Sequence, residues 1–370
     1  MSILPGLSDL SLSLITNQLL GFFFAFSVGL AGFFAFKLLR LPTPALLGPM
    51  VSTGILSVMG HYPDFATQPV SFAGNVLIGI MLGMQVDRTV LGRLRSLGRH
   101  VSLVAAGMIA LSLVCGYAIY YLTDIPLVTS LISGAAGGIA EMSVFGISVN
   151  ADVPVIAFVQ FIRIVVFLAL IPYLATAARR LEERSGHPRP IWRPRDQGDP
   201  LPTFAVRDYF KLAIVSILAG WLGLVSRIPT GAMLGAMIAG GTLAFVLRKR
   251  YLYPASLGYF SQILLGTVMG QRIDAGIVDR LGSLVLPVAA VTALMLAGSL
   301  LLAVLLYWSS GWDFTTCLVC ASPAGLSQVA MLASEIGVDL FTITIFHSVR
   351  IIGIVSIYPW IIMALTGGHG

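Results

Sequence analysis

The sequence predicts an all-α polytopic membrane protein, an inverted repeat of two units that each hold five transmembrane helices and one re-entrant helical hairpin. Three observations predict it. Hydrophobic residues make up 57% of the chain and charged ones 10%, and the mean hydropathy is +0.93, far outside the range of soluble domains. The run RLPTPALLGPM from Arg40 to Met50 reappears as RIPTGAMLGAM from Arg227 to Met237, a step of 187 residues. An apolar stretch from Leu127 to Val149 carries Gly134, Ala135, Ala136, Gly137 and Gly138 at its midpoint, and it returns as Phe314 to Ile336 with Ser322, Pro323, Ala324 and Gly325 in the same place.

In the first copy, apolar helices are expected at 16–36, 44–60, 70–86, 100–121 and 153–175, each close to the roughly 20 residues needed to span a bilayer. The second copy gives 204–225, 231–247, 255–271, 283–307 and 340–362. The same offset carries Gly83 to Gly270, Asp152 to Asp339, Arg163 to Arg350 and Pro172 to Pro359 without a gap, so the chain reads as two copies of one unit. Residues 1–177 form the first membrane repeat, 178–203 a cytoplasmic linker rich in Arg, Glu and Pro, and 204–370 the second, inverted repeat. Pro42 and Pro229 mark helix boundaries, with Thr43 and Thr230 placed as N-caps. The first apolar run lacks a charged leading segment and a small-residue cleavage site, so it is not expected to be a removable signal.

Charge decides how the glycine-rich stretch runs. If it crosses the membrane, the basic loop residues split nearly evenly between the two faces. If it doubles back, seventeen Lys and Arg share one face and only Arg227, Arg272 and Arg280 lie on the other. The positive-inside rule then makes the crowded face cytoplasmic and favours the hairpin. Each arm of about 11 residues would reach roughly 16 Å, half of a 30 Å hydrocarbon core. Two such hairpins entering from opposite faces meet at mid-depth, the arrangement by which secondary transporters build a solute site.

The net charge of +6 is a topology signal in short loops, and no nucleic-acid partner is expected. Cys115, Cys317 and Cys320 lie in apolar segments and read as packing residues. No metal set, cofactor motif or catalytic constellation is read, so enzymatic activity is not expected.

Arg163 and Arg350 sit about ten residues into the last helix of each copy, where a charge costs at least about 2.5 to 3.5 kcal/mol and needs a partner or a task. They could be paired guanidinium forks for a carboxylate, sulfonate or phosphate. They could equally cap hairpin carbonyls, or Arg163 could be held by Glu141. Glu141 is the one intramembrane carboxylate of the first hairpin, and Gln328 replaces it in the second. That asymmetry suggests H⁺ or Na⁺ coupling. Gly137, Gly138, Gln160, Ser322, Gly325, Ser327, Gln328 and His347 complete the candidate solute-binding set, with Gln160 and His347 aligned by the repeat one turn before the arginines. Asp152 and Asp339 are expected to cap the last helices. The five tryptophans, Trp192, Trp221, Trp308, Trp312 and Trp360, are expected at the membrane interfaces.

In the duplicated R-x-P-T-x-A-x-L-G-x-M and the GAAGG-x-x-E segment followed by F-x-R-I, the chain resembles the bacterial AbrB-type duplicated membrane proteins. That family carries ammonia monooxygenase and regulator labels and is distinct from the small DNA-binding protein of the same name. The resemblance implies gene regulation or ammonia oxidation. The scattered His61, His100, His187, His347 and His369 do not make a copper site. The expectation is therefore a multi-pass transporter of the bacterial inner membrane, surrounded by lipid, that moves a small organic anion. A ligand-binding membrane sensor or regulator is the alternative, and a homodimer is allowed.

Overall fold

The computed structural model describes residues 5–41, 43–63, 65–84, 88–184, 206–226, 230–247, 254–273, 275–323 and 338–365. Among the described residues every regular element is a helix. In chain order these are α1 (Pro5–Leu38), α2 (Pro44–Val58), α3 (Thr67–Gly83), α4 (Arg88–Leu122), α5 (Leu127–Gly134), α6 (Ile139–Ser148), α7 (Val153–Arg184), α8 (Val206–Val225), α9 (Gly231–Leu247), α10 (Ala255–Gly270), α11 (Ala275–Ser310), α12 (Phe314–Cys320) and α13 (Leu340–Leu365). All ten helices expected from the apolar runs are present, and the glycine-rich stretch is two short helices with a break between them. Helix α7 continues to Arg184, past the expected end of the first repeat at 177.

Six helices are long and apolar enough to cross a membrane, over Thr16–Leu38, Ser96–Leu122, Val153–Arg180, Arg207–Val225, Leu281–Ser310 and Thr342–Leu365. The chain is a polytopic membrane protein. Helices α2, α3, α9 and α10 have 15, 17, 17 and 16 residues, about 22 to 26 Å at 1.5 Å per residue. They fall short of a 30 Å core. The sequence overestimated them because apolar residues continue into the turns at their ends.

Two compact units divide the chain. One holds Met1–Ile78 and Tyr253–Arg280, the other Gly79–Leu252 and Leu281–Gly370. Each unit therefore draws chain from both sequence copies. In the first, α1 and α2 meet at glycines, where a Cβ on Gly32 or Gly48 would run into the backbone of the other. Ser52 donates to Val28 O at 3.0 Å, and Tyr62 donates to Thr267 O on α10 at 2.9 Å. Small residues and interhelical hydroxyl bonds replace the hydrophobic drive that lipid removes.

Thr43 occupies the N-cap position of α2 as expected, but its side chain makes no cap bond. The reason is its φ of 48°, in the left-handed region, whereas a capping hydroxyl reaches back from an extended residue. Thr230, its counterpart before α9, has φ 58°. The carboxylate caps are made as expected. Asp152 Oδ1 accepts from Val155 N at 3.3 Å, and Asp339 Oδ2 accepts from Thr342 N at 2.9 Å.

In the second unit, α4 and α11 pack side by side. Gly107 faces Leu302 and Leu111 faces Gly298, while Cys115 Sγ lies 4.0 Å from Val291 O and His100 Nε2 lies 3.2 Å from Ser309 O. As numbers rise along α4 they fall along α11, so the two helices are antiparallel. Leu111 and Gly298 are the same position of the repeat, 187 residues apart.

Trp221, Trp308 and Trp360 are exposed at 55%, 72% and 51%, as suits residues at a lipid interface. Trp312 is not. It is buried, packed against the rings of His100 and Phe346 at 5.6 and 5.8 Å, because the turn after α11 folds inward. Trp192 lies outside the described residues.

Candidate functional site

Helix α5 ends because Ala135 turns extended, at φ −66° and ψ 136°, and α6 starts after Gly138, also extended at φ −82° and ψ 157°. The break uses no left-handed glycine. Its glycines serve close approach instead: a Cβ on Gly134 would strike the backbone of Gly116 on α4, and one on Gly138 would strike the Glu141 carboxylate.

The two arms return to one level. Thr129 Oγ1, near the start of α5, accepts from Asp152 N, beyond the end of α6, at 3.1 Å. An unbroken helix between those residues would hold them roughly 34 Å apart.

A broken helix leaves its last carbonyls without intrahelical donors. Helix α7 runs alongside and supplies them. Gln160 Nε2 donates to the carbonyls of Ile132, Ser133 and Ala135 at 3.4, 3.3 and 3.0 Å. Arg163 Nη1 donates to Ala135 O at 2.5 Å and Nη2 to Gly137 O at 2.8 Å, and Nη2 also donates to Gln160 Oε1. The guanidinium thus sits at the negative end of α5, where a cation is favoured. It lies ten residues into α7, about 15 Å along the axis.

The second copy repeats the device. His347 Nε2 lies 3.0 Å from Val319 O, which fixes the proton on Nε2, since a carbonyl only accepts. Arg350 Nη1 donates to Ser322 O. Both carbonyls are the repeat counterparts of Ile132 and Ala135. Ser322 takes part through its backbone, and its own hydroxyl donates to Val319 O at 3.0 Å. Gly325, Ser327 and Gln328 lie outside the described residues.

Of the roles left open for the arginines, the geometry displays carbonyl capping. Glu141 is buried in the first turn of α6. Its electrostatic partner is Arg350, from the other copy, rather than Arg163. Arg163 and Arg350 also act on each other by repulsion. Two buried guanidinium groups and one buried carboxylate therefore share this region, together with the positive N-terminal end of α6.

Sequence reasoning passed over three residues that hold the tip. Ser112 Oγ on α4 accepts from Ala136 N at 2.8 Å, Thr129 clasps the arms, and Tyr358 OH on α13 donates to Leu131 O at 3.0 Å. Ser112 had a signal, since the repeat places Ser299 opposite it. Tyr358 had none, because Ile171 fills its place in the first copy.

A family model described as transition state regulatory protein AbrB matches this chain twice, over residues 5–179 and 183–366. The chain is similar to "Putative regulator AbrB" of Escherichia coli (strain K12), at 24% identity over 331 residues that cover 88% of this chain and 90% of the relative. It is also similar to "Uncharacterized protein YhjN" of Bacillus subtilis (strain 168), at 20% identity over 312 residues that cover 80% and 79%.

Proposed function

From the premise that this chain belongs to the duplicated AbrB membrane-protein family, and not to the small DNA-binding proteins of that name, we propose that it is a secondary transporter of a small organic anion across the bacterial inner membrane. The observation that carries the reading is the antiparallel packing of the repeat-equivalent helices α4 and α11 through Leu111 and Gly298. Equivalent helices that run in opposite directions are what an inverted repeat requires, and an odd number of crossings per copy produces it. The clasp between Thr129 and Asp152 supports a hairpin that enters and leaves on one side. Inverted repeats with interrupted helices at mid-depth alternate access by moving one part against another around a fixed site.

An anion suits the charge of that site. The two guanidinium groups exceed the one carboxylate, and the N-terminal turn of α6 points its amides into the break. The arginines act on the solute through their field and through the carbonyls they hold in place. Glu141 supplies the coupling group.

The test is uptake of a pooled set of radiolabelled organic anions by proteoliposomes, comparing wild type with Arg163→Lys and Arg350→Lys. Wild type is expected to accumulate at least one anion, and each lysine variant to slow uptake, because one ammonium cannot reproduce the fork. Saturable anion binding with no flux at any imposed gradient would instead establish the sensor or regulator alternative.

A further inference from the structure

We propose that the coupling ion is a single proton per cycle, carried on the Glu141 carboxyl, and that the first hairpin holds no sodium site. The ion's use in driving flux rests on the transport reading above, whereas its chemical identity is argued from the hairpin alone.

A sodium ion at a helix break is held by oxygens that the unwound backbone frees. Here those oxygens are engaged. The carbonyls of Ile132, Ser133 and Ala135 accept from Gln160 Nε2, and those of Ala135 and Gly137 accept from Arg163. A metal cation entering the break would have to displace a guanidinium already bound at the same oxygens and then sit beside its charge. Both steps oppose binding.

Glu141 is placed differently. As the third residue of α6 its carboxylate folds back over Gly138, so closely that a Cβ there would collide with it. Ionised, it rests on the positive end of its own helix and is attracted to Arg350 on α13. The other elements packed on α6 are α5, whose described residues include no titratable group, and α7, which brings Arg163. His347 lies one turn before Arg350 on α13. When a proton binds, the carboxylate becomes a neutral carboxyl, one O–H bond forms, and nothing else changes in the balance. The attraction to Arg350 then lapses. Because Arg350 also holds Ser322 O, the proton loosens a link between the hairpin of one copy and that of the other. The second copy carries Gln328 in the equivalent place, an amide that cannot take up a proton in this range, which sets the stoichiometry at one.

The experiment uses purified full-length protein and two probes, protons and ²²Na⁺, so it requires no known solute. Difference infrared spectroscopy across a pH titration is expected to show a carboxyl band in wild type that fades as pH rises and is missing in Glu141→Gln. Binding of ²²Na⁺ to wild type is expected to show no saturable component. Saturable ²²Na⁺ binding to wild type overturns the proposal without any variant, and so does the absence of a Glu141-dependent band in a Glu141→Gln protein that elutes as a single species. A titrating band together with failure of every uptake assay supports the proton site and removes the transport reading.

Discussion

Replacing Arg163 with lysine separates a brace from a ligand. In the native hairpin Arg163 reaches both Ala135 O and Gly137 O, while Gln160 independently reaches Ala135 O at 3.0 Å. Lysine keeps the charge but cannot span the fork, so Ala135 O keeps a donor and Gly137 O loses its own. A buried carbonyl left without a donor costs about 1 to 3 kcal/mol. Local opening of the break should therefore rise about 5- to 150-fold. Hydrogen–deuterium exchange by mass spectrometry in lipid nanodiscs reads this directly, because the Ala136 amide is bonded to Ser112 Oγ in the closed tip. Peptides covering 134–142 should exchange faster in Arg163→Lys, with peptides from α8 unchanged. Unaltered exchange in the hairpin combined with loss of anion binding would refute the brace and make Arg163 a direct ligand.

Two further outcomes follow from the same geometry. Paired cysteines at Leu111 and Gly298, and at Gly107 and Leu302, should cross-link α4 to α11 under mild oxidation. A pair at Gly107 and Leu294, the register of parallel helices, should not, and reversal of that pattern on gel mobility would remove the inverted repeat. Thr43 and Thr230 hold β-branched side chains at φ 48° and 58°, where strain of about 1 to 3 kcal/mol is typical. Thr43→Gly and Thr230→Gly should each raise stability by about 1 kcal/mol in thermal unfolding followed by tryptophan fluorescence, and a fall in melting temperature would show that the threonine side chains are needed there.

Much of the architecture was legible because its signals are local. Apolar run length marked the helices, and the 187-residue offset paired Arg163 with Arg350 and Gln160 with His347. The break at Ala135 was visible as a cluster of small residues, although the reason for the glycines was not. Gly134 is needed because Gly116 passes beside it, and no periodicity announces which distant backbone comes near. The short spans of α2, α3, α9 and α10 were overread because hydropathy does not record where a chain turns.

The sequence by itself determined that this is a helical membrane protein made of two copies with an interrupted apolar segment in each, since composition, periodicity and repetition are properties of neighbouring residues. Only the tertiary structure decided what each buried charge faces. Arg163 spends its fork on carbonyls 26 and 28 positions earlier, and Glu141 answers to Arg350 across the repeat. Choice among partners for a desolvated charge depends on the distances between elements remote in the chain, and those distances are set by packing.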